Sequence, residues 1–165
     1  MNKIYLFIIV LILISGYTKE INKVCFEKNC FEVEIADSEE ERNIGLMNRT
    51  FLGYDKGMLF IFKNEDIHDF WMKDTLISLD IIWINSNFDV VFIKENALPQ
   101  TFNKSLIKEP FYEKASPKND ELLAKSLNKE YQIFTPNQKA KYVLEVNSGI
   151  IKRNNISLMD KVKIY

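Results

Sequence analysis

Phe70-Trp71-Met72-Lys73-Asp74-Thr75, followed by Leu79-Asp80, reads as two short strands joined by a turn. Side chains alternate between the faces of a strand, so Phe70 and Met72 share one side while Asp69, Trp71 and Lys73 share the other. A large aromatic flanked by opposite charges costs free energy to bury unless those charges are paired or used. This face is therefore the first candidate for a binding surface.

Outward from that stretch the chain keeps the same two-residue rhythm. Phe31, Val33 and Ile35 alternate with Glu32 and Glu34, which fits a half-buried strand. Gly57 to Phe62 is wholly apolar and fits a strand covered on both faces, and a further strand is expected over Ile67 to Met72. Leu79 to Ile84 and Phe88 to Glu95 flank Asn85-Ser86-Asn87, a hairpin signal, and Pro99 ends the second run because it cannot donate to a ladder. Lys141 to Asn147 resumes the alternation, and Lys161 to Tyr165 reads as a closing strand. Ser38, with Glu41 three residues on, forms a capping box that opens a helix; Ile44 and Met47 are expected to face inward from it. Gly45 would lie inside this helix, where it lets the backbone approach a sheet. Ser148 is placed to cap a short helix over Gly149 to Asn154. Many short strands and few helices predict a mainly β fold, a β-sandwich or partly closed barrel with one or two packed short helices.

The N-terminus has a different character. Lys3 precedes an unbroken apolar run from Ile4 to Ile14, then Ser15-Gly16. That run is about half of the roughly 20 residues a helix needs to cross a bilayer. Its parts are those of a secretory signal peptide over residues 1–16; an uncleaved membrane anchor over residues 4–14 is the other reading. The expected location is periplasmic or extracellular, with a membrane involved only through an uncleaved leader. Residues 17–165 then form one mainly β domain. Its interior holds a long polar excursion at about 100–140, with one helix-like piece, Asp120 to Lys129.

The formal charge of −1 gives no electrostatic reason to expect nucleic acid, whose phosphates require basic patches. The only two cysteines, Cys25 and Cys30, flank a tight turn. In an exported chain they read as a disulfide across a hairpin, with two free thiols as the alternative. A structural zinc site needs four Cys or His ligands, and only His68 is left to join them, so neither metal nor cofactor is expected.

Placed in order, several runs resemble a known family. They are Glu34-Ile35-Ala36-Asp37, Glu40-Glu41-Arg42, Gly45-Leu46-Met47-Asn48-Arg49, Gly57-Met58-Leu59-Phe60, the Phe70 to Thr75 stretch, Leu79-Asp80, Glu95-Asn96-Ala97, Tyr142-Val143-Leu144-Glu145 and Gly149. The chain is similar over about residues 24–165 to the domain of unknown function 192 family. The resemblance implies a compact, mainly β domain, often behind a signal peptide in bacteria and archaea. It implies no activity and supplies no catalytic residues. This chain departs from the family pattern between Asn96 and Tyr142, where its connection is longer and lacks the cysteines many members carry.

The residues themselves support three functional readings. An exposed Trp71 beside Lys73 and Asp80, joined by Asn96 and Glu145, would stack on a sugar ring while polar groups fix its orientation. This describes a non-catalytic ligand-binding or accessory module whose partner is a glycan or another envelope component. Against it, Trp71 would be a core residue and Lys73 would pair with Asp69 or Asp80. Asp80 and Glu145 are the carboxylates most enclosed by apolar neighbours. As an acid–base pair they would make a hydrolase of envelope polymers; the plainer reading pairs them with Arg42, Arg49 or Lys73. The third reading is a protein-interaction module that uses the 100–140 excursion. Trp83 reads as core and His68 as a structural residue. No nucleophile elbow or phosphate-binding glycine loop is present.

Overall fold

The computed structural model describes residues 22–27, 29–99 and 132–165. The expected leader over residues 1–16 and the helix expected over Asp120 to Lys129 lie outside them. The alternating runs become nine strands: β1 (Lys23–Phe26), β2 (Asn29–Ala36), β3 (Lys56–Asp66), β4 (Phe70–Trp71), β5 (Leu79–Ile84), β6 (Val90–Ala97), β7 (Ile133–Phe134), β8 (Ala140–Asn147) and β9 (Val162–Ile164). Two short helices, α1 (Glu39–Ile44) and α2 (Ile150–Asn154), complete the set. Seven strands form one curled sheet in the order β6-β5-β8-β3-β2-β1-β9, a half-barrel, while β4 and β7 form a small second sheet. The fold is mainly β, as expected.

The sheet is apolar on both faces, which explains its central sequences. Along β5, Leu79, Ile81 and Trp83 enter one core cluster with Met58, Phe60, Phe70, Met72 and Val143. Ile82 and Ile84, of opposite parity, enter a second cluster with Val24, Leu144, Val146 and Ile151. Strand β8 lies between β3 and β5, antiparallel to both, with Glu145 opposite Met58 on one side and Ile81 on the other. Strands β2 and β3 pair in parallel, Ile35 opposite Leu59, and α1 lies in the crossover between them. Parallel neighbours need such a crossover, because a tight hairpin reverses the chain.

Two helix ends depart from expectation. The capping box at Ser38 and Glu41 is formed, but α1 stops at Ile44, whose side chain is 53% exposed, and Gly45 is its cap with φ +49°. A Cβ at Gly45 would stand 3.2 Å from Cζ of Phe60, so the chain reverses here against β3 and sends Leu46 into the core. At α2, Gly149 with φ +86° takes the cap position, and the Ser148 hydroxyl donates instead to Oδ1 of Asn96 at 2.9 Å. The expected strand over Ile67 to Met72 shrinks to Phe70–Trp71. Its partner, β7, lies within the stretch expected to be excursion.

Cys25 and Cys30 face each other in the β1–β2 hairpin and are joined by a disulfide. The bond suggests a non-cytoplasmic environment, where thiols stay oxidised. No helix among the described residues is long and apolar enough to cross a membrane.

Candidate functional site

A cavity of about 350 Å³ opens between α1 with its following turn, strands β3 and β8, and the small β4–β7 sheet. In β4 and its flanks, Asp69, Trp71 and Lys73 line the cavity; Met72 is fully buried, and Phe70, though buried, also contributes to the wall. Trp71 is 38% exposed, and the Lys73 ammonium stands 5.7 Å from the centre of its ring, within cation–π range. Across the cavity, Arg42 lies 5.2 Å from the Phe62 ring centre and donates to the carbonyl oxygens of Asp37 and Ile61.

Glu145 also lines the cavity, at the centre of the sheet. It is 4% exposed, and its side chain has no hydrogen bond and no ion pair among the described residues. Among the described residues, no fully enclosed side-chain oxygen or nitrogen lacks a partner, so the Glu145 carboxyl group reaches the cavity surface. Burial pushes this carboxyl up to about 8, because the charged form loses its water and nothing nearby replaces it. Among the described residues the expected salt bridge to Arg42, Arg49 or Lys73 is absent, and burial favours the neutral form of Glu145.

Asp80 takes the opposite course. Its neighbour in the ladder is Val146, whereas Glu145 is opposite Ile81, so the two carboxylates project from opposite faces of the sheet. Asp80 is 1% exposed; Oδ1 accepts the Asn96 N–H and Oδ2 accepts the Ile151 N–H, each at 2.9 Å. It ties the end of β6 to the first turn of α2. Opposite faces remove Asp80 and Glu145 as an acid–base pair in one cleft.

Of the five residues proposed for one binding face, Trp71, Lys73 and Glu145 meet at the cavity. Asp80 and Asn96 are joined to each other elsewhere. Trp83 is fully buried, with its indole N–H donating to the His68 carbonyl at 2.8 Å. His68 stacks on Phe62, with centroids 3.5 Å apart, and donates from Nε2 to the Asn64 carbonyl. Both are structural residues.

Sequence reasoning missed the apolar and hydroxyl part of the wall, Leu46, Phe60, Phe62, Phe70 and Thr75. Only Gly45, required for close approach to Phe60, carried a trace of it. Among the described residues, no cluster of three or more His, Cys, Asp or Glu side chains is arranged to hold a metal ion.

No curated protein matches the chain. Among solved structures it is similar to a protein of unknown function from Novosphingobium aromaticivorans. That match has 28% identity, covers 87% of this chain and 84% of the other, and has a TM-score of 0.66. It is also similar to a candidate transcription regulator from Sinorhizobium meliloti, with 26% identity, coverage of 86% and 90%, and a TM-score of 0.64. Residues 22–164 match the family model DUF192, described as an uncharacterized ACR, and since that match spans most of its length the chain belongs to this family.

Proposed function

We propose that this protein is an exported, non-catalytic ligand-binding module of the cell envelope, and that its ligand, a glycan or envelope fragment, occupies the cavity beside Trp71. The observation that carries this reading is the convergence of Trp71, Lys73 and Glu145 on one concave space. Ligand sites are typically concave, mostly apolar, and furnished with a few polar groups that set orientation. Here an aromatic face, a cation and a buried carboxyl supply those elements. The disulfide and the apolar leader support export. With Asp80 on the other face, the paired-carboxylate hydrolase loses one of its two groups.

Thermal unfolding of the oxidised protein across glycans, peptidoglycan fragments and lipids tests the reading. A ligand at about 100 times its dissociation constant adds roughly 2.7 kcal/mol of stability. Trp71→Ala is expected to abolish that shift with little effect on the unliganded melting temperature, since the side chain is partly exposed. A flat panel would redirect the search to protein partners of the 100–140 excursion.

A further inference from the structure

Among the described residues, the cavity has one carboxyl group buried in a largely apolar wall. Glu145 projects on the same face as its ladder neighbours Met58 and Ile81, and it shares the cavity wall with the buried Leu46, Phe60, Phe70 and Thr75. Among the described residues, the other charged groups on the cavity are Glu39 and Arg42 from α1, and Asp69 and Lys73 from the β4 segment; none hydrogen-bonds or ion-pairs with Glu145. Arg42 is engaged by two backbone carbonyls and the Phe62 ring, and Lys73 lies over Trp71. The strands beside Glu145 present Met58 and Ile81 to it, so no charge approaches along the ladder. A carboxylate in such a place is costly, and the group keeps its proton instead.

We propose that the cavity selects an uncharged ligand bearing an acylamino group, such as an N-acetylated sugar, whose carbonyl oxygen accepts a hydrogen bond from the Glu145 carboxyl group. This rests on reading the cavity as a binding site and names the chemistry it recognises. The acyl methyl suits the wall of Leu46, Phe60 and Phe70. The carbonyl is a strong acceptor for the Glu145 carboxyl, since the Thr75 hydroxyl on the same wall already donates to the Lys73 carbonyl, and the sugar ring reaches toward Trp71. A ligand ammonium would have to displace the Glu145 proton and shed its own water in the same apolar wall.

The test titrates N-acetylglucosamine and glucosamine separately into the oxidised protein, followed by nuclear magnetic resonance at pH 6.5 and 9.5. At pH 6.5 the acetamido sugar should bind at least about tenfold more tightly than the ammonium sugar and perturb the Trp71 indole. Its affinity should fall roughly 30-fold by pH 9.5, as Glu145 loses its proton near 8. Glu145→Gln, whose amide N–H replaces the hydroxyl donor, should bind at both pH values, and carbon-13 titration of the free protein should show Glu145 still protonated at pH 7. Tighter glucosamine binding, no N-acetylglucosamine binding, or a Glu145 midpoint near 4.5 would each overturn the proposal. If another glycan binds in a Trp71-dependent manner while N-acetylglucosamine does not, the binding-module reading stands and the acylamino assignment falls.

Discussion

Asp80 and Glu145 are each enclosed in an apolar strand, yet they meet burial in different ways. Asp80 accepts two backbone N–H groups. The Glu145 side chain finds no partner among the described residues, and burial pushes its carboxyl up to about 8. The second solution has a thermodynamic signature. The carboxyl titrates near 4.5 in an unfolded chain and about 8 in the folded one, so between these values the folded state holds the extra proton. The stability this provides is fully present below pH ~4.5, declines by about 1.4 kcal/mol per pH unit, and levels off once pH passes about 8. Glu145→Gln removes the slope. Urea unfolding at pH 5, 7 and 9 should show the variant gaining on the parent as pH rises; a constant difference would mean that Glu145 is ionised throughout.

At the scale of elements, the joint between β6 and α2 depends on a residue from β5. Helix α2 has no side-chain cap of its own, and its Ile151 N–H is satisfied by Asp80 across 71 positions of sequence. The same carboxylate accepts the Asn96 N–H, where φ is +49°. Asp80→Ala would leave two backbone donors without their acceptor, at about 1–3 kcal/mol each where they stay buried. Urea denaturation should show a loss of roughly 2–4 kcal/mol, with amide exchange accelerated first at Ile151 and Asn96. Equal acceleration over the whole sheet would place the role of Asp80 in the core and not at the joint. Helix α1 contrasts with α2: its start is written locally in Ser38 and Glu41, whereas its end depends on Gly45 meeting Phe60 of β3.

At the scale of the whole molecule, the disulfide and the cavity are separate. The bond joins β1 to β2, toward the β9 edge of the sheet, whereas Glu145 lies on β8, with β3 between β8 and β2. It closes a short loop, so its removal should cost only about 2 kcal/mol, at the low end for disulfides. Cys25→Ser with Cys30→Ser, or reduction, is therefore expected to lower the urea midpoint while leaving ligand affinity unchanged within about twofold. A loss of binding on reduction would show that the hairpin and the cavity are coupled.

Much of the architecture was local and hence legible. The alternation around Phe70 to Lys73 placed Trp71 and Lys73 on one face, the capping box started α1, and Asn85 marked a turn in which its side chain accepts the N–H groups of Asn87 and Asp89. Each depends on residues a few positions apart, whose relation is set by backbone geometry alone. The site was legible only in part, because alternation fixes which neighbours share a face within a strand but not the phase between strands. Asp80 and Glu145 were both visible as enclosed carboxylates; only the pairing of Asp80 with Val146 and of Ile81 with Glu145 sent them to opposite faces. The parallel β2–β3 pairing, the insertion of β8 between β3 and β5, and the meeting of β4 with β7 likewise join distant segments. Sequence by itself determined most of the strands, though not β7 or the short extent of β4, together with the first helix start and one polar-aromatic face. Tertiary structure decided which strands are neighbours, and with that, which buried acid reaches a cavity and which one ties two elements together.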